Sequence, residues 1–178
     1  MSLIRTSRLV LAIAFAATLA GCTGVPAGVE PVRDFELDRY LGQWYEIARL
    51  DHRFERGMSR VTAEYSRKPD GSVKVINRGY LADEGRWKEA EGKARFAGDP
   101  SVGHLEVSFF GPFYGSYVVF ELEREGYQYA FVTSSSRSYL WLLARTPQVP
   151  DAVRDQFLQR AGQLGFDLEQ LIWVKQPR

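Results

Sequence analysis

The sequence predicts an all-β domain, an antiparallel meander of eight strands with one C-terminal α-helix packed outside it. Three observations carry this. Between Gly42 and Arg145 short runs rich in β-branched and aromatic residues recur with turn chemistry between them. Strict period-two alternation marks at least two runs, and one amphipathic helical stripe follows the last of them. The chain has 178 residues, 45% hydrophobic and 25% charged, which suits one compact domain and not a disordered or multi-span chain.

The strands are expected at Gly42 to Leu50, Val61 to Ser66, Ser72 to Tyr80, Arg86 to Phe96, His104 to Phe110, Ser116 to Glu123, Tyr127 to Thr133 and Ser138 to Arg145. Pro69-Asp70-Gly71, Asp83-Glu84-Gly85, Gly98-Asp99-Pro100, Gly111-Pro112, Glu125-Gly126 and Ser134-Ser135-Ser136 separate them. In the third strand Val73, Val75 and Asn77 share a face against Lys74, Ile76 and Arg78. In the fifth, Leu105, Val107 and Phe109 oppose His104, Glu106 and Ser108. The sixth and seventh strands choose no face cleanly. Mid-strand charges at Glu64, Lys74, Arg78 and Glu106 require an aqueous exterior, which excludes a membrane-spanning barrel. A sandwich and a closed barrel fit this pattern equally.

The run Tyr139 to Ala144 is apolar on both faces and needs an outer cover. Asp151 to Leu164 supplies one, with Val153, Phe157, Leu158, Ala161 and Leu164 on a single stripe, Pro150 at its start and Gly165 just past its end. A last short strand is expected at Leu171 to Val174.

At the N-terminus, Arg5 and Arg8 precede an apolar to weakly polar run from Leu9 to Ala20, too short to span a bilayer and of signal-peptide length. Leu19-Ala20-Gly21-Cys22 matches a bacterial lipobox, whose cysteine is lipidated and becomes the mature N-terminus. The expected organisation is a lipoprotein signal peptide over 1–21, a lipidated N-terminus and tether over 22–33, and one domain over 34–178. Thr23 in place of Asp looks like outer-membrane sorting, on the periplasmic side. The net charge is +1, and the signal peptide carries two arginines and no acid, so the remainder has one more acid than base. Nucleic acid is therefore not an expected partner. One cysteine and two histidines leave no basis for a disulfide or a metal site, and no cofactor is implied.

Gly42-Gln43-Trp44-Tyr45 and Arg145 together resemble the two most persistent lipocalin signatures. Trp44 to Arg49, Asp51 to Gly57, Val75 to Tyr80, Ser108 to Gly115 and Tyr139-Leu140-Trp141 extend the resemblance, across residues 34 to 177, to bacterial outer-membrane lipocalins of the apolipoprotein D-like group. One departure is Leu122-Glu123-Arg124, where many lipocalins carry Thr-Asp-Tyr. The resemblance implies an eight-stranded up-and-down barrel in which Gly42, Trp44 and Arg145 are structural, with the guanidinium over the indole at the closed end. The loops 51–60, 81–85, 111–115 and 134–137 then form the mouth, carrying Phe54, Phe113 and Tyr114 beside His52, Arg53, Arg56 and Arg60.

Parity counted from Trp44 and Arg145 turns Tyr139, Trp141 and Leu143 inward, with Val75, Asn77, Val107 and Phe109. Tyr65 and Trp141 match positions that line the cavity in apolipoprotein D-like lipocalins. Asn77 is a polar group on an apolar face and calls for water or the polar end of a ligand. Tyr114 at the mouth is expected to meet a head group. The resulting expectation is a binding protein for a long-chain fatty acid or lysophospholipid, held on the membrane through Cys22, with a possible homodimer undecided by the sequence. The family resemblance further implies lipid transport or storage and membrane maintenance under envelope stress. The alternatives are an interaction module with a filled barrel docking a protein partner, and a lipocalin-fold enzyme. The last lacks a base and a nucleophile: the chain has no Gly-x-Ser-x-Gly elbow, and His52 and His104 fall in a loop and on an outward face.

Overall fold

The computed structural model describes residues 23–177, so the expected signal peptide and Cys22 lie outside the described residues. The chain opens with a one-turn helix, α1 (Leu37–Tyr40), then β1 (Gly42–Leu50), β2 (Met58–Arg67), β3 (Val73–Leu81), β4 (Arg86–Phe96), β5 (His104–Phe110), β6 (Phe113–Leu122), β7 (Tyr129–Thr133) and β8 (Leu140–Ala144). The long helix α2 (Asp151–Gln163), a 3-10 turn (Leu168–Gln170) and β9 (Leu171–Trp173) complete it. Consecutive strands pair antiparallel from β2 to β8, β8 pairs with β1, and β1 returns to β2, closing the expected eight-stranded barrel with β9 added outside.

The register explains what faces in. Cross-strand partners share a face, and the rows Tyr65, Val75 and Gly92, then Ala63, Asn77 and Ala90, run around the interior. Outward charges on the same strands pair instead with each other, Lys74 with Glu91, Arg78 with Glu89 and Arg95 with Glu106, as an aqueous wall requires. The two strands of open parity resolve to Tyr117, Val119, Ala130 and Val132 inward, and Val118, Phe120 and Phe131 outward.

Apolar material therefore divides into two cores. One fills the lower barrel around Trp44. The other lies outside, where Leu140, Leu142 and Ala144 of β8 meet Phe131, Phe157 and Ala161, and this is the predicted cover. Leu158 of the predicted stripe stays partly exposed and outside that cluster. Gly165, at φ +77°, ends α2: its N–H bonds to Gly162 O and that of Phe166 to Ala161 O, a reciprocal cap that swings Phe166 back onto Phe120.

The segment expected as a tether is packed, which corrects that reading of 23–33. Val29 and Val32 are buried, Val32 exchanges backbone bonds with Val119 and Gly103, and Ser116 Oγ donates to Gly24 O. Its glycines and prolines serve a path laid past the start of β5 and along β6. The valines between them provide the adhesion.

Two of the register shifts open a seam beside the first mouth loop. β1 shifts register between Glu46 and Ala48, and β2 between Ser59 and Thr62, so the β1–β2 ladder ends at Tyr45 and Thr62. The C-terminal tail laces the gap, as Val174 N–H donates to Ile47 O and the Gln176 amide donates to both Glu46 O and Val61 O at 2.7 and 2.8 Å.

Candidate binding cup

The closed end is built as expected. Arg145 lies 4.0 Å over the Trp44 ring and donates to the Gln43, Arg39 and Tyr127 carbonyls. A guanidinium so placed stacks on an indole while its fork ties down three chain segments. Gly42, at φ +92°, brings its backbone close beneath that guanidinium. In place of the Thr-Asp-Tyr motif, the Glu123 carboxylate accepts the N–H groups of Glu125, Gly126 and Gln128 and folds the β6–β7 turn on itself.

Above the closed end the interior is crossed by three buried tyrosines. Tyr117 Oη lies 2.7 Å from Tyr40 Oη and 2.9 Å from Tyr65 Oη. Burial pushes all three phenols up from their ordinary range. The void left among them, lined also by Leu37, Val73, Ala94, Leu105 and Val107, measures about 10 Å³, enough for a single water at most. The lower half of the barrel is therefore solid. Tyr65, Val75 and Leu143, expected as cavity lining, belong to this filled floor, and the Tyr65 hydroxyl is engaged by Tyr117.

Higher up the picture changes. Val107, Phe109, Tyr139 and Trp141 face inward yet remain partly exposed, and β4 contributes the small Ala90 and Gly92 to that side, with Lys88 on the same face toward the rim. The upper interior is thus a cup with an apolar wall, floored by tyrosine. Asn77 sits in its wall between Ala63 and Ala90, and its Oδ1 is buried with no partner among the described residues, as the sequence led one to expect. Phe54, Phe110 and Phe113 stand on the rim, 50, 74 and 78% exposed. Tyr114 is not there. Its ring packs under Arg95 at 4.2 Å, and Arg95 pairs with Glu106 on the outer wall, so Tyr114 cannot meet a head group in the mouth.

One wall of the cup carries a polar cluster that sequence reasoning missed. Glu46 shares the inward face of Trp44, and the bulge after it turns Arg49 inward as well, so the two lie opposite Leu143 and Trp141. Arg49 Nη1 bonds Glu46 Oε1 at 2.7 Å, and Nη2 reaches Glu55 O at 2.8 Å in the first mouth loop. Trp141 Nε1 donates to Glu55 Oε2 at 3.2 Å, and His52 Nε2 lies 2.9 Å from the same oxygen. His52 is buried against Tyr139 and Trp141, not solvated as a mouth-loop residue would be.

Burial, then the facing Glu55 charge, drive the Glu46 carboxyl well above its ordinary range. Burial also presses Glu55 upward, but His52, Glu46 and Trp141 outweigh it and bring Glu55 down. The two carboxyls are thus pushed in opposite directions, and Arg49, bonding the Glu46 carboxylate and the Glu55 carbonyl, straps the mouth loop to the barrel wall. Two-residue alternation from Trp44 puts Glu46 inside, and a carboxylate at an interior position is the signal the sequence carries. The inward turn of Arg49 depends on the bulge. Among the described residues no group of His, Cys, Asp or Glu is gathered to hold a metal.

The family model for a lipocalin-like domain matches residues 35–176. The outer membrane lipoprotein Blc of Vibrio cholerae is 56% identical over 169 residues, covering 95% of this chain and 99% of that protein. The protein of the same name from Escherichia coli is 54% identical over 85% of each chain. Temperature-induced lipocalin-1 of Arabidopsis thaliana is 33% identical over 80% of each. Among solved structures, insecticyanin from the tobacco hornworm Manduca sexta superposes with a TM-score of 0.69 at 22% identity, covering 87% of this chain and 88% of that one, a likeness of fold.

Proposed function

Because the chain belongs to the lipocalin family, whose members are binding proteins, we propose that it is an outer-membrane lipoprotein holding a fatty acid or lysophospholipid tail in its upper barrel. The observation that carries this reading is the half-filled interior. Phe109, Tyr139 and Trp141 face inward and stay partly exposed above the tyrosines, which with Val107 enclose only about 10 Å³. Apolar walls partly exposed inside a barrel gain by covering with an alkyl chain.

From Met58 at the rim to Tyr65 at the floor, a strand rising ~3.4 Å per residue and tilted ~40° gives a cup about 18 Å deep. About ten buried methylenes there carry a gross transfer free energy of ~8 kcal/mol, from which association subtracts several, so affinity in the micromolar range or weaker is expected. Asn77 Oδ1, unpaired in the wall, favours a ligand or water that brings a donor.

The anchor reading rests on Leu19-Ala20-Gly21-Cys22 and on relatives named outer membrane lipoprotein. Cys22→Ser should release the protein from the membrane fraction to the soluble one, and retention after the substitution would sink the anchor. A role in lipid storage or transport and in envelope maintenance agrees with a cup held near a membrane.

Titration of tryptophan emission with an oleate-like acid tests the binding. Trp141 lines the cup, so a saturable change is expected that Trp141→Phe largely removes. A second reading, a filled barrel docking a protein through its rim, draws on the exposure of Phe110 and Phe113. No emission response together with no co-purifying lipid would leave that one standing.

A further inference from the structure

Strands β2 and β6 stand four places apart in an eight-stranded ring, so Tyr65 on one and Tyr117 on the other project from opposite sides of the barrel. Their hydroxyls meet at 2.9 Å. The two rings, joined end to end, span the full diameter, and Tyr40 rises from α1 to brace the junction at 2.7 Å. Below it Tyr40 packs on Trp44 at 4.6 Å and on Phe35 at 5.1 Å, and so rests on the closed end. A structure supported on both sides and from below does not yield to an entering alkyl tail. Resting on the lipid-binding reading above, we infer that the Tyr65–Tyr117 crossbar is a chain-length stop: the terminal methyl of a straight acyl ligand ends against it, and carbons beyond that length remain outside the mouth.

The two rings contribute differently. Tyr117 is the central hydroxyl, bonded to both others, and its ring reaches across from the side opposite the mouth loop. Shortening it opens the axis toward the void bounded by Leu37, Val73, Ala94 and Leu105. Removing only its hydroxyl leaves the ring in the path.

The mature, delipidated protein is titrated with a homologous series of straight-chain saturated fatty acids below their aggregation thresholds. While each added methylene is buried, affinity should rise about 4-fold per carbon. It should then level at the length where the methyl meets the crossbar. In Tyr117→Val the levelling point moves to longer acids, with the 4-fold increments continuing past the wild-type plateau. In Tyr117→Phe it stays where it was, because the ring remains. Should Tyr117→Val fail to melt cooperatively, Tyr65→Val, which shortens the other half of the bar, moves the plateau in the same way, and a plateau unmoved there overturns the inference equally. A wild-type series with no plateau overturns the inference, as does a plateau unmoved in a folded, binding-competent Tyr117→Val. Failure of every acid to bind the wild type overturns the lipid reading itself, and the stop with it.

Discussion

The tyrosine floor makes a prediction independent of any ligand. Tyr40, Tyr65 and Tyr117 hold their protons above the ordinary phenol range because burial disfavours the phenolate. In the unfolded chain each ionises near pH ~10. Above that pH the unfolded state loses protons the folded state keeps, so stability falls as pH rises, by about 1.4 kcal/mol per pH unit for each group and ~4 for the three. Denaturant midpoints followed from about pH 9 to pH 11 should drop steeply, and a flat profile would mean the phenols are not buried as described. The residues that sequence reasoning placed well were those whose position follows from parity: Trp141, Phe109, Asn77. Tyr114, which it put in the mouth, sits beside the β5–β6 register shift between Val107 and Phe110, and simple alternation carries no information about it. The Glu46–Arg49 pair was hidden for the same reason, since one bulge converts an outward arginine into an inward one.

At the scale of elements, the strands were legible because short turns of Gly, Pro and Asp delimit them: β1, β4 and β5 lie where the pattern put them. β6 instead begins at Phe113, three residues early, because Gly111-Pro112 alone makes the hairpin turn. The one-turn α1 and the docking of 23–33 were not legible, being too short or too irregular to have a period. The C-terminal tail is the other such element, and its role rests on one side chain. The Gln176 amide supplies donors to two carbonyls freed where β1 and β2 separate. Gln176→Ala leaves both unpaired at a cost of about 1 to 3 kcal/mol. Lys175 contributes its backbone carbonyl to Arg60 N–H while its side chain is exposed, so Lys175→Ala should cost almost nothing. Equal denaturant midpoints for the two variants would show that the tail does not close the seam.

In the molecule as a whole, the division into two cores separates stability from binding. The barrel wall is shared, but its outer side is held by α2 and its inner side by aromatic packing, and the cup uses only the upper part of the latter. Phe157 is fully buried against Phe131, at 5.0 Å between ring centroids, and touches nothing in the cup. Phe157→Ala should therefore lose about 3 to 5 kcal/mol of folding free energy and keep its affinity for a fatty acid, measured where the variant remains folded. Trp141→Ala should do the opposite, weakening binding several-fold at smaller cost, since Trp141 is only partly buried and makes one hydrogen bond, to Glu55. Ligand at 100-fold its Kd stabilises a folded protein by about 2.7 kcal/mol through linkage alone. That increment should be the same in Phe157→Ala as in wild type, because distant sites act additively. If ligand instead rescued the helix-face variant by much more than it stabilises the wild type, the two sides of the wall would be energetically coupled, and α2 would have to be counted as part of the binding apparatus.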